Sequence, residues 1–115
     1  MDLYILRHAI AGDRESFDGP DSERPLTRQG RKKMRCIAKN LKKLDLKFDV
    51  ILTSPFLRAK ETAEIVAKEF HRENALKLSS HLKVGGDPAS LVREINTSYK
   101  KFDNILLVGH EPYLS

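Results

Sequence analysis

Two arginines and two histidines are the residues of this chain best suited to chemistry. Arg7 and His8 close the first apolar run, residues 3–6; His110 follows Gly109 after the last run, residues 104–108; Arg58 comes shortly after a third run, residues 48–53. In an open α/β sheet a ligand sits beyond the carboxyl ends of parallel strands. Three such ends would deliver these side chains to one rim, although His8 and His110 lie 102 positions apart. A guanidinium fork donates paired hydrogen bonds to phosphate oxygens. A neutral imidazole attacks phosphorus when a hydrogen bond at its other nitrogen sets the tautomer. With the N–H groups of a helix N-terminus beside them, the four side chains suit a dianionic phosphoryl group, one histidine as nucleophile and the other as binder. No cysteine or carboxylate cluster accompanies them, so neither a metal nor any other cofactor is expected.

The elements that would hold this rim are read from hydrophobic spacing. Residues 3–6 read as a buried strand, and residues 9–25, with Gly12, Gly19, Pro20 and Pro25 beside Asp13, Asp18 and Asp21, as a surface loop. Thr27 is placed to cap a helix that turns Met34, Ile37, Ala38, Leu41 and Leu44 inward and Arg28, Arg31, Lys32, Arg35, Lys39, Lys42 and Lys43 outward. Cys36, on its flank, is expected in the core. After the strand at 48–53, Ser54-Pro55 predicts a cap with proline at the first helical position. That opens a helix over 55–71 with Leu57, Ala59, Ala63, Val66 and Phe70 inward. A short strand at 75–79 and a turn at Gly85-Gly86 precede Asp87-Pro88, a second cap-plus-proline start, and a helix buried through Leu91, Val92, Ile95 and Tyr99. His71 and His81 are expected at the surface. Alternating strands and helices predict a three-layer α/β/α domain with a mainly parallel sheet covered on both faces.

Composition bounds the partners. The 115 residues suit one domain, and 40% hydrophobic with 32% charged residues suits a soluble core-forming chain. No apolar run approaches the ~20 residues of a membrane span, and the first residues do not read as a secretion signal. The lone Cys36 excludes an internal disulfide or a zinc cage. A cytoplasmic monomer is expected. The net charge of +5 favours phosphates or acidic protein surfaces. The basic helix face has little aromatic interleaving to stack bases, so nucleic acid is not an expected partner, nor is a membrane. That face is expected to steer an acidic protein substrate.

Four segments in order carry a family resemblance: Leu6-Arg7-His8-Ala9, then Arg24-Pro25-Leu26-Thr27-Arg28-Gln29-Gly30, then Ser54-Pro55-Phe56-Leu57-Arg58-Ala59-Lys60-Glu61-Thr62-Ala63, and finally Val108-Gly109-His110-Glu111-Pro112. On these the sequence resembles the histidine phosphatase superfamily, and within it the SixA-type phosphohistidine phosphatases. The resemblance implies a phosphoglycerate mutase-like fold. It implies His8 as the nucleophile that becomes transiently phosphorylated, with Arg7, Arg58 and His110 binding the phosphoryl oxygens. It further implies no metal, and as substrate a phosphorylated protein such as a histidine phosphotransfer domain.

Many relatives that cleave phosphate esters place a carboxylic acid after the third strand. Here residues 81–86 carry none before Asp87, which is already assigned to starting a helix. A phosphohistidine leaving group needs less protonation than an alkoxide, so this absence favours phosphoramidate cleavage. Asp13, Asp18, Asp21, Glu23 and Glu111 are the other acids that a flexible approach would offer. A small-metabolite phosphate ester phosphatase and a noncatalytic phosphate-binding module are the alternatives.

Two departures stand out. Ala9 replaces a glycine common in the superfamily. The sequence also stops five residues after His110, where relatives usually continue. A single domain, 1–115, truncated at its C-terminal end and with apolar faces left exposed is therefore expected.

Overall fold

The structure, a computed structural model, describes residues 2–7 and 17–110. Strands β1 (Asp2–Arg7), β2 (Val50–Thr53), β3 (Leu76–Leu78) and β4 (Asn104–Gly109) form one sheet in the order β1-β4-β2-β3, every neighbouring pair parallel. Parallel neighbours require crossover connections. Helices α1 (Arg28–Lys43), α2 (Leu57–Glu69) and α3 (Pro88–Ser98) provide them.

Helices cover both faces, as the alternation of elements predicts. On one face Met34 and Ala38 of α1, and Ala59, Ala63, Val66 and Ala67 of α2, pack with Ile51, Leu106 and Val108 of the sheet. Phe48 fills the end of this layer, edge-on to Tyr4 at 5.4 Å and tilted against Phe70 at 4.9 Å. The small alanines of α2 allow it to lie close against α1. On the other face Leu91 and Ile95 of α3 meet Val50, Leu52, Ile105 and Leu107, with Leu82 between. The alternation of Ile105 and Leu107 with Leu106 and Val108 between the two layers is the period-two pleat of a strand buried on both sides.

The helix starts follow from their capping residues. Thr27 Oγ1 accepts from the Gly30 N–H at 2.8 Å, and Asp87 accepts from the Ala89 N–H at 3.3 Å with Pro88 at the first helical position. The start of α2 departs from expectation. It begins at Leu57 rather than Pro55, with Phe56 at the capping position.

Four burial expectations are corrected. Among the described residues strand β1 lies at the edge of the sheet and the cluster around α3 includes none of its side chains, so Leu3 and Ile5 are 49% and 58% exposed while Tyr4 and Leu6 pack on the α1–α2 side. Ile37 of α1 and Leu44, which caps its C-terminal end, are exposed, because the line facing α2 runs through Gly30, Met34 and Ala38 at four-residue steps. Cys36 lies outside that line and is exposed. Val92 turns to solvent beside the buried Leu91 and Ile95.

Candidate active site

The carboxyl ends of β1, β4 and β2 meet along one edge of the sheet. The register pairs Arg7 with Gly109 and Thr53 with Val108, which puts Arg7, His110 and Ser54 on that edge. The Ser54 N–H prolongs the ladder by donating to the Val108 carbonyl at 3.0 Å. Arg7 is exposed; His110 and Arg58 are each 2% exposed.

Ser54 connects two of these elements. Its Oγ accepts from the Phe56 N–H at 3.2 Å, closing a tight turn that delays the start of α2. The same Oγ shares a hydrogen bond of 2.8 Å with His110 Nε2. A hydroxyl carries one proton and two lone pairs, so it holds both bonds at once. The second bond fixes the plane of the imidazole.

Phe56 lies between the two buried cationic or potentially cationic side chains. Its ring meets His110 edge-on with centroids 5.2 Å apart, and the Arg58 Cζ stands 5.1 Å from its centroid. A cation at this distance is attracted by the ring's quadrupole. The ring therefore supports Arg58 and His110 from one side.

Arg58, in the first turn of α2, is gripped by the segment that precedes α1. Its Nη1 donates to the Asp21 main-chain carbonyl at 2.8 Å and its Nη2 to the Asp21 carboxylate at 3.0 Å. The second carboxylate oxygen accepts from Arg24 Nε at 2.9 Å. Burial works to raise the Asp21 pKa, but the Arg24 hydrogen bond and the charge and hydrogen bond of Arg58 outweigh it, and the carboxyl sits below its ordinary value. Asp21 is thus an ionised anchor for Arg58 rather than a proton donor.

Asp87 is committed as its position after Gly85-Gly86 suggests. Oδ1 accepts from the Ala89 N–H and Oδ2 from the Ser90 hydroxyl at 2.7 Å. The Ser90 hydroxyl is the main cause of a lowered Asp87 pKa, against some desolvation and helped by the Ala89 and Ser90 N–H groups and the Arg93 charge.

Of the four residues expected at the rim, Arg7, Arg58 and His110 are brought to this edge. His8 lies outside the described residues, as do Ala9, Asp13 and Glu111. Asp18 and Glu23 are exposed. Sequence spacing did not single out Ser54 as a partner of His110, Phe56 as a support or Asp21 as the anchor of Arg58. Ser54 carried a signal, since it directly follows a strand end; Phe56 and Asp21 carried none. Among the described residues no group of three or more His, Cys, Asp or Glu side chains is placed to hold a metal ion. No helix among them is long and apolar enough to cross a membrane.

Residues 3–83 match the model of the histidine phosphatase superfamily (branch 1). The chain belongs to that superfamily. It is 37% identical over 121 aligned positions to an uncharacterized protein of Picosynechococcus sp., covering 99% of this chain and 68% of that one. It is 29% identical over 113 positions to the phosphohistidine phosphatase SixA of Escherichia coli (strain K12), covering 97% of this chain and 68% of that one. The solved structure of the protein histidine phosphatase SixA complexed with tungstate superposes with a TM-score of 0.88 at 28% identity, covering 99% of this chain and 72% of that one. The expected fold is therefore the superfamily's own, and the activity class is that of a phosphatase.

Proposed function

We propose that the protein hydrolyses phosphohistidine in a phosphorylated protein, without a metal, through a phosphorylated His8 intermediate. The observation that carries this reading is the joint placement of Arg58 and His110 against Phe56, at the sheet edge where Arg7 pairs with Gly109. His8 follows Arg7 directly in the chain. Two guanidinium groups and an oriented imidazole supply, as fixed groups, the electrostatic stabilisation that developing charge on a transferring phosphoryl group requires. Similarity to a SixA structure holding tungstate, a tetrahedral oxyanion, supports the same reading.

In the first step the neutral His8 imidazole attacks phosphorus, the P–N bond to the substrate imidazole breaks, and that imidazole, already protonated on its other ring nitrogen, leaves neutral. In the second step water attacks phosphorus, the P–N bond to His8 breaks, and inorganic phosphate departs. Arg7, Arg58 and His110 hold the phosphoryl oxygens through both transfers. Among the described residues Asp21 is engaged in anchoring Arg58 and Asp87 in capping α3, which favours a nitrogen leaving group that needs less protonation than an alkoxide.

The test compares turnover of a protein phosphorylated on histidine with that of small phosphate esters. Preferential turnover of the phosphoprotein is expected, with a base-stable, acid-labile phosphoryl group trapped on His8 and lost in His8→Ala. Faster turnover of the esters would overturn the substrate, full activity of His8→Ala the nucleophile, and binding without turnover the enzymatic reading altogether.

A further inference from the structure

The outer face of α1 is the strongest unassigned feature of the molecule. Residues 28–43 hold eight of the chain's 21 cations and no acid, while the rest of the chain carries 13 cations against 16 acids. The net positive charge therefore resides in this one helix. Arg28, Lys32, Arg35 and Lys39 follow one another at steps of four, three and four residues and are all exposed. At ~100° per residue they fall within an arc of about 60° and extend roughly 16 Å along the axis.

The stripe is neither self-neutralised nor remote from the site. Arg31 pairs with Glu61 of α2, and Lys42 donates to the Glu69 carbonyl, but both lie at the margin of the stripe. An open depression of about 670 Å³ is lined by Thr27, Arg28, Gln29, Lys32 and Arg35, three cations with no carboxylate. Its upper end is Thr27, three residues beyond Arg24, which holds the Asp21 that holds Arg58. In this parallel architecture the helix N-termini lie at the carboxyl edge of the sheet, so the cationic stripe begins beside the candidate site and runs away from it.

We propose that this face of α1 is the docking surface for an acidic protein that presents its phosphohistidine to the site. The inference rests on the reading of the substrate as a phosphorylated protein. A small phosphorylated molecule spans only the sheet edge, whereas a folded partner whose phosphoryl group sits at that edge lies against the helices flanking it. Glu69 and Glu73 border the stripe beside Arg35 and Lys39, but the stripe itself carries no carboxylate, and its charge complement is an acidic helix or surface. The face carries no aromatic side chain on which bases would stack, which favours protein over nucleic acid. Exposed charge of this kind acts mainly on encounter rate and register, and so on kcat/KM at low salt.

Lys32→Glu/Arg35→Glu/Lys39→Glu, with the corresponding triple Gln variant, tests the surface. None of these three residues is among those of the candidate site. The probes are an acidic histidine phosphotransfer domain phosphorylated with phosphoramidate, free phosphohistidine, and a duplex oligonucleotide. For the phosphorylated domain kcat/KM is expected to fall about 10- to 100-fold in the Glu variant and less in the Gln variant, with a flatter salt dependence in both. Turnover of free phosphohistidine should not change. Equal kcat/KM for the phosphorylated domain in wild type and variants would overturn the docking surface and leave the proposed function standing. A wild type that hydrolyses free phosphohistidine but ignores the phosphorylated domain at every salt concentration overturns the docking surface. A wild type that hydrolyses neither overturns the proposed function and the docking surface with it. Oligonucleotide binding as tight as that of the acidic domain, lost in the Glu variant, would reassign the face to nucleic acid.

Discussion

The guanidinium of Arg58 is held by both the main chain and the side chain of Asp21, 37 positions away: Nη1 donates to the carbonyl and Nη2 to the carboxylate. The residue proposed to grip a phosphoryl group is thus itself gripped by Asp21, while the Phe56 ring centroid stands 5.1 Å from its Cζ. Two of its N–H groups are spent on holding direction. That is preorganisation: the fork is aimed before substrate arrives, and no reorganisation is needed during transfer.

Replacing Asp21 with Ala removes the carboxylate and leaves the main-chain carbonyl, so Arg58 loses its bond to the former and keeps its bond to the latter. A loss of about 1–2 kcal/mol in urea unfolding is expected, moderated because the Asp21 side chain is a third exposed. Because the folded-state pKa lies below the ordinary 3.8, this stabilisation is complete above that value and disappears as pH falls through the lower, folded one. Stability curves of wild type and Asp21→Ala should therefore lie apart at neutral pH and converge in acid, below the lowered folded-state pKa. A gap that persists in acid would show that the carboxylate charge is not the source.

Ser54→Ala tests whether the orientation of His110 matters to turnover. The substitution removes the partner of Nε2 and the acceptor of the Phe56 N–H together. A stability loss of about 1–2 kcal/mol is expected from the buried groups left behind, with kcat reduced about tenfold and KM changed little. Ser54→Thr keeps the hydroxyl and should recover most of the activity, which a purely structural role for the bond would not predict once both variants are shown to be folded.

The reach of sequence reasoning differs among these residues for physical reasons. Arg58 and His110 were legible because a strand end is marked by an abrupt loss of hydrophobicity, and in a parallel sheet such ends share one edge. The caps at Thr27 and Asp87 were legible because they are local. Edge position is not local: nothing in residues 3–6 tells that β4 is the one neighbour of β1 among the described strands, so the exposure of Leu3 and Ile5 could not be read. Periodicity likewise gives the direction of a buried stripe but not its width, which is why Cys36, Ile37, Leu44 and Val92 were placed inside. The Asp21–Arg58 pair joins the short 3-10 turn at Asp21–Glu23 to α2 across the chain, and no spacing rule connects them. His8, the centre of the proposed chemistry, lies outside the described residues, and its role stands on the sequence resemblance.

Two helix ends predict gains in stability. Asp45 follows the end of α1 at φ 59° and His71 follows the end of α2 at φ 54°, the left-handed conformation in which helices commonly terminate and for which glycine is favoured. A side chain there costs roughly 1 kcal/mol. Asp45→Gly and His71→Gly should each raise the unfolding free energy by about 0.5–1 kcal/mol, the histidine more than the aspartate, whose short polar side chain tolerates the conformation better. Unchanged or lower midpoints in urea would show that contacts of the native side chains outweigh the backbone relief.

Arg58→Lys separates charge from geometry. Lysine retains a positive charge but as a single ammonium on a flexible stem, so it cannot donate to the Asp21 carbonyl and carboxylate in the fixed directions of a planar fork while also presenting paired donors to a phosphoryl group. The side chain it replaces is 3% exposed, and an ammonium left poorly paired there is costly. A fall in kcat of about 10²- to 10³-fold is expected, comparable to the loss of a preorganised donor to developing negative charge, together with a lower urea midpoint. Asp21→Ala in the same background should then add little to the loss of activity, because the geometry it protects is already gone. Additive losses from the two substitutions would mean that Asp21 acts on turnover by a route other than holding Arg58.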